Sequence, residues 1–306
     1  MKKRQIGESD LFVTEMGLGC MSLGKDEQHA RNILETAIEE GINYFDTADL
    51  YDFGLNEEIV GSVLKPYREK LIIATKVGNR WNNEKTSWSW DPSRNYIRKA
   101  VKDSLQRLQT DYIDLYQLHG GTMDDPTEET ISAFEELKKE GYIREYGISS
   151  IRPNVIKKFI KQSGITSVMM QYSLLDRRPE EWMELLDENH ISIIARGPIA
   201  KGLLTAEMFN KASDSIRENG YLDYSYAELE SLLPSIKEKI QGHSMNEVAF
   251  QYILASPTVA AVIPGASSTK QLLENIKSVN SSPLTEKELE LLRSMTKALK
   301  YEAHRD

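Results

Sequence analysis

The 306-residue chain has a single cysteine, Cys20, so it can form no internal disulfide, dithiol redox pair or thiolate metal cluster. It also lacks an apolar run long enough to cross a bilayer, and its opening Met-Lys-Lys-Arg-Gln-Ile-Gly has no hydrophobic stretch of a secretory signal. A cytoplasmic location is expected on those grounds. Positive charge is short as well. The 38 Lys and Arg stand against 47 Asp and Glu, and the resulting net charge of −9 disfavours phosphate backbones and anionic lipid surfaces. Neither nucleic acid nor membrane is expected as a partner. His29, His190, His243 and His304 have no ligand spacing, and no metal is expected.

What the chain does have is a repeating pattern. Short apolar runs alternate with amphipathic stretches of ten or more residues, the signature of parallel strands joined by helical crossovers. Candidate strands cover residues 15–18, 42–46, 71–76, 113–119, 143–148, 167–171, 191–196 and 259–263. Candidate helices cover 29–40, 56–64, 95–108, 127–139, 153–161, 179–189, 245–254 and 270–279. Eight strand-helix pairs predict a closed α/β (β/α)8 TIM barrel, formed as a single domain over residues 1–306, because closure buries both faces of each strand. A doubly wound sheet would carry a third glycine or alanine after its first strand, which Gly17-Leu18-Gly19-Cys20-Met21-Ser22 lacks. Residues 5–11 predict an N-terminal hairpin closing the barrel's bottom, residues 226–240 a helical insert, and residues 285–298 an extra C-terminal helix.

Barrel chemistry gathers at the C-terminal ends of strands, so polar residues that end an apolar run there are the candidates. Asp46, Tyr51, Lys76 and His119 are four such residues, on neighbouring strands. A phenol, with a free pKa of ~10, is a poor proton donor near neutrality unless a neighbouring ammonium favours its phenolate. Lys76 is placed to do that for Tyr51, Asp46 to hold Lys76, and His119 to orient a carbonyl oxygen.

The run Asn43-Tyr44-Phe45-Asp46-Thr47-Ala48-Asp49-Leu50-Tyr51, with Ile73-Ala74-Thr75-Lys76 and Leu115-Tyr116-Gln117-Leu118-His119, resembles the signature of the aldo-keto reductase superfamily in order and spacing. That resemblance implies an NADPH-dependent oxidoreductase that passes hydride to an aldehyde or ketone, with Asp46, Tyr51, Lys76 and His119 as the catalytic residues and Tyr51 as proton donor. It also implies a cofactor path through Gly19, Cys20, Met21 and Asp46, then Ser149, Ser150 and Gln171 at the carboxamide. Arg196 stands where an aromatic residue usually stacks on nicotinamide, and Gly197, Pro198, Ile199, Ala200, Lys201 and Gly202 resemble the pyrophosphate loop. Gly265, Ser267, Gln271, Glu274 and Asn275 fall at the adenosine end. Gly265 and Gln271 replace the lysine and arginine that many members use for a 2′-phosphate, so NADH is admitted beside NADPH, with Lys270 as the substitute cation. Trp81 and Trp88, with Tyr51 and His119, are expected to wall the substrate pocket. The expected partner is a small carbonyl compound, taken up by a monomer. Two rival readings are a cofactor-holding regulatory subunit of the same fold and a lyase that uses Lys76 as a Schiff base.

Overall fold

The computed structural model describes residues 1–305, residue 211 by its backbone alone. The chain opens with an antiparallel hairpin, β1 (Lys3–Gln5) and β2 (Phe12–Thr14). Eight parallel strands follow: β3 (Leu18–Gly19), β4 (Tyr44–Asp46), β5 (Ile72–Val77), β8 (Ile113–Leu118), β9 (Ile143–Ser149), β10 (Ser167–Gln171), β11 (Ser192–Arg196) and β12 (Val259–Ile263), hydrogen-bonded in that order. The small antiparallel pair β6 (Asn79–Trp81) and β7 (Trp88–Trp90) interrupts the crossover after β5. The seam between β12 and β3 is closed by parallel bridges Met16 to Val262 and Gly19 to Gly265, with Gly17 N–H on Val262 O at 3.0 Å and Gly19 N–H on Pro264 O at 3.0 Å.

Alternation along the strands sorts the core into two parts. Phe45, Ile73, Tyr116, Val168 and Ile193 point outward and join the large cluster under the helices. Tyr44, Ile72, Leu115, Met169, Ile194 and Ile263 form the inner cluster with Ile6, Leu11 and Val13 of the hairpin, which plugs the barrel bottom. Full burial of such a side chain contributes about 1.5–3 kcal/mol. The plug is tied down by Arg4, whose guanidinium donates to the carbonyls of Leu254, Ser256 and Val259 at the foot of the last strand. Gly7 must be glycine: its φ is +53°, and a Cβ would sit 2.8 Å from His190 O.

The helices are α1 (Glu27–Glu39), α2 (Leu55–Leu64), α3 (Arg94–Leu108), α4 (Thr127–Lys139), α5 (Pro153–Gln162), α6 (Met183–Glu188), α7 (Asp214–Asn219), α8 (Tyr226–Lys239), α9 (Met245–Leu254), α10 (Thr269–Val279) and α11 (Glu286–Met295). Capping boxes Ser225/Glu228, Ser244/Glu247 and Thr285/Glu288 fix the starts of α8, α9 and α11 by satisfying amides that the first turn leaves free. Three details depart from the sequence expectation. The run at 179–189 opens with a tight 3-10 segment, Arg178–Trp182, leaving α6 only six residues. The final helix stops at Met295 rather than 298, and the next residues turn back so that Lys297 N–H donates to Tyr224 Oη at 2.6 Å. The first strand begins at Leu18 rather than 15, residues 15–17 serving the closure of the seam. Among the described residues no helix is long and apolar enough to cross a membrane, and no group of His, Cys, Asp and Glu could hold a metal ion.

Candidate active site

Strand alternation builds the site. The inward columns run Tyr44 to Asp46, Ile72 through Ala74 to Lys76, Leu115 to Gln117, Met169 to Gln171 and Ile194 to Arg196, apolar at the bottom and polar at the C-terminal rim. The same two-residue step that packs the barrel therefore places its chemistry in one layer.

At the centre Lys76, 1% exposed, donates from Nζ to Asp46 Oδ1 at 2.5 Å, to Thr47 O at 2.7 Å and to Tyr51 Oη at 3.3 Å. Gln117 donates from Nε2 to the other oxygen of Asp46 at 3.1 Å. Burial pushes the Asp46 carboxyl up, against the pull of Lys76 and Gln117. Burial would lower the Lys76 ammonium, but Asp46 and Tyr51 outweigh it and hold the group above its ordinary range. The ammonium stays charged, which argues against the Schiff-base reading, since an imine needs a neutral amine.

Tyr51 is delivered by a strained turn. Asp52 (φ +49°), Phe53 (φ +53°) and Gly54 (φ +91°) follow it in consecutive left-handed conformations, a costly arrangement for non-glycine residues and one that persists only when its surroundings enforce it. Trp81 supplies part of that enforcement, its ring edge-on to Phe53 at 6.2 Å. A Cβ on Gly54 would meet Arg107 Cδ at 2.8 Å.

His119 lies edge-on to Tyr51, ring centroids 6.0 Å apart, and its backbone N–H donates to Val77 O at 2.7 Å. Burial, then the charges of Lys76 and Arg196, bring its pKa down to about 3, so the imidazole is neutral at physiological pH. Among the described residues its Nδ1 has no hydrogen-bond partner. The ring borders a cavity of about 330 Å³ shared with Trp88, Trp90, Ser149, Arg152 and Arg196. A neutral imidazole over an apolar-walled cavity can donate a hydrogen bond to an oxygen placed there.

The structure brings Trp88 to this cavity but not Trp81, which borders a separate cleft of about 610 Å³ with Asp49, Arg80, Tyr96 and Arg107. Trp90 takes the place at the wall. Its Nε1 donates to Asp125 Oδ1 at 2.8 Å, and its ring covers Gly78 and Gly120, where a Cβ would come within 2.5 and 3.2 Å of it. Those two strand-end glycines were the readable signal. Gln117 is the other residue that sequence reasoning passed over, although it stands two positions before His119 and so on the same face.

The rim opposite Tyr51 has the form of a long strip. Gly19 and Gly265 lie side by side, and a Cβ on Gly265 would be 2.5 Å from Ser22 Oγ, so the Ser22 side chain packs directly on that glycine. Cys20 is buried beneath it and Met21 stands 64% exposed beside it. After β11 the chain turns through Gly197 (φ +67°), Pro198 and Ile199 to Ala200, Lys201 and Gly202, all three left-handed. Within that turn Ala200 and Gly202 N–H donate to Gly197 O and Ile199 O at 3.1 and 2.9 Å, which fixes its shape. Gln171 is fixed between Arg196, which donates to its Oε1 at 3.2 Å, and the Tyr221 hydroxyl, to which its Nε2 donates at 3.1 Å. Ser149 and Ser150 both line the cavity, and the buried Ser150 accepts at Oγ from Arg152 N–H at 3.3 Å. At the far end Gln271 Oε1 accepts from Ser267 N–H at 2.9 Å, Asn275 is buried against Gly265 O, and Lys270 faces Glu274 at 4.0 Å. Along this strip stand the residues that could hold a nicotinamide dinucleotide. Ser149, Gln171 and Arg196 would hold the ring, 197–202 the phosphates, and Ser267, Gln271, Glu274 and Asn275 the adenosine half.

Comparison with known proteins agrees with this geometry. The model of the Aldo/keto reductase family matches residues 15–297. The chain is 58% identical over its whole length, and that of its relative, to the uncharacterized oxidoreductase YqkF of Bacillus subtilis (strain 168). It is 29% identical to the NADH-specific methylglyoxal reductase of Escherichia coli (strain K12), covering 98% of this chain and 99% of that one. Among solved structures, the holo form of the aldo-keto reductase AKR11C1 from Bacillus halodurans superimposes with a TM-score of 0.95 at 56% identity over 100% of both chains. Buried ion pair, rim tyrosine and full-length likeness lead to one assignment: the chain is an oxidoreductase and belongs to the aldo/keto reductase family.

Proposed function

We propose that this protein reduces aldehyde or ketone carbonyls to alcohols with NADPH, Tyr51 donating the proton, and that it works as a monomer. The observation that carries the reading is the bonded series Gln117, Asp46, Lys76, Tyr51, ending edge-on to a neutral His119, which lines the cavity that Tyr51 itself does not. A bound nicotinamide supplies the hydride.

The chain's own residues do the rest. His119 donates a hydrogen bond to the carbonyl oxygen and turns the carbon toward the strip. As the carbon takes the hydride and its π electrons move to oxygen, the Tyr51 hydroxyl gives that oxygen its proton, completing the alcohol. The phenolate left on Tyr51 faces the Lys76 ammonium at 3.3 Å until solvent returns the proton. Asp46 and Gln117 keep the ammonium in place rather than touching substrate.

NADPH is put before NADH on the habit of the family, with Lys270, exposed and 4.0 Å from Glu274, as the substitute cation for a 2′-phosphate. NADH is the second cofactor of this reading, consistent with the NADH-specific relative of Escherichia coli. Consumption of NADPH, and separately of NADH, is to be followed with purified protein across small aldehydes and ketones. Turnover faster with NADPH supports the reading, and no turnover with any carbonyl would overturn it. Light scattering during size exclusion at the mass of one chain, 34.9 kDa, checks the monomer.

A further inference from the structure

We propose that the cavity beside His119 selects carbonyl compounds that also carry a carboxylate, short-chain oxo acids, with Arg152 gripping the anion and Arg196 strengthening the local positive field. The inference rests on the carbonyl-reductase reading above and adds the substrate class to it.

Charge is distributed unevenly here. The chain carries 47 carboxylate residues and a net charge of −9, yet no Asp or Glu is among the residues lining this cavity, and two arginines are. Among the described residues neither arginine has a salt-bridge partner, whereas Arg68, Arg107, Arg177 and Arg178 are each paired with a carboxylate. Arg196 is committed to Gln171 Oε1 and lies under the proposed ring site. Arg152 is half-buried. Its Nη1 donates to Gly121 O at 2.7 Å, which steadies the guanidinium against the wall and leaves other N–H donors for a carboxylate. It also stands at the N-cap of α5, where its backbone carbonyl accepts from Ile156 N–H at 3.0 Å.

One carboxylate, bonded to Trp90, stands close by without lining the cavity. Asp125 spends Oδ1 on Trp90 Nε1 and Thr122 Oγ1, at 2.8 and 2.6 Å, and Oδ2 on Thr122 N–H at 2.6 Å. His119, neutral, contributes no charge of its own. The lining also includes the apolar Trp88, Trp90, Ile151 and Met169 beside the polar Asn79, Thr122, Ser149 and Ser150, and the volume of about 330 Å³ suits a short methylene chain. One end of such a molecule meets the hydrogen-bond donor of His119 and the other a guanidinium, with hydrocarbon between them. Recognition of this kind lowers KM more than it raises kcat, because the grip is the same before and during reaction.

The test uses the full chain at saturating NADPH and two substrates of equal length, succinic semialdehyde and its neutral methyl ester, methyl 4-oxobutanoate. The acid is expected to exceed the ester in kcat/KM by about tenfold, chiefly through KM, the scale of one charge-assisted contact. The advantage should shrink as salt rises and disappear in Arg152→Gln. In parallel, butanoate, which cannot be reduced, should quench the tryptophan fluorescence of the wild-type protein and require about tenfold more ligand to do so in Arg152→Gln. Acid and ester reduced equally well would overturn the proposal and leave the reductase standing, and so would an acid advantage that salt does not diminish. Butanoate quenching without reduction of either aldehyde would instead sink the reductase reading while supporting the anion site. If Arg152→Gln fails to fold, the salt series on wild-type protein decides alone.

Discussion

The Tyr51 pole of the barrel rim and the adenosine end of the strip are built by opposite rules. At the first, Lys76 and Asp46 are 1% and 3% exposed and each polar atom is held by a named neighbour. At the second, Lys270 and Glu274 side chains are 86% and 56% exposed and 4.0 Å apart. A buried pair cannot change one member without stranding the other, whereas an exposed pair contributes about 0–1 kcal/mol and is free to drift. The first pair is thus fixed by the fold, whereas the second is left free by it.

The sharpest way to break that contrast is Lys76→Met. Removing one member leaves Asp46 charged and dry, so the variant should lose about 3–5 kcal/mol in denaturant unfolding, and turnover should fall by about 10²–10⁴-fold. Adding Asp46→Leu should recover stability without recovering turnover. A Lys76→Met protein as stable as wild type would show that the pair is not desolvated as described.

A smaller effect concerns pH. His119 has a folded pKa of about 3, below its usual 6.5, so between those values the unfolded chain binds a proton that the native chain refuses. Its contribution to stability is present above pH 6.5 and is lost as pH falls toward 3. Melting temperatures measured down this range should drop more steeply for wild type than for His119→Asn. Parallel curves would contradict the neutral, buried imidazole.

Smallest of all is Lys270→Ala, expected to raise KM for NADPH by up to about fivefold relative to NADH, the scale of an exposed charge contact. A larger loss would mean that the adenosine end is more rigid than its exposure indicates.

Much of this was legible before folding. Eight apolar runs gave the barrel because both faces of each strand are covered, and the inward step of two residues carried Asp46, Lys76 and His119 to one rim. The β6–β7 hairpin was not legible, since two three-residue strands leave no period to count, and Trp81 was accordingly expected at a wall from which the hairpin turns it away. Gln117 was missed because it reads as one more buried strand position until its partner Asp46 is seen across the barrel. Pro179 and a short amphipathic run gave no sign that the segment before α6 winds tightly.

The central claim is that the Tyr51 hydroxyl is the proton source, and Tyr51→Phe tests it with the loss of a single oxygen. Single-turnover oxidation of bound NADPH by a small aldehyde should slow by about 10²–10⁴-fold, the range of one general acid, while cofactor affinity measured by fluorescence stays unchanged. A Tyr51→Phe protein that turns over at the wild-type rate would contradict the account.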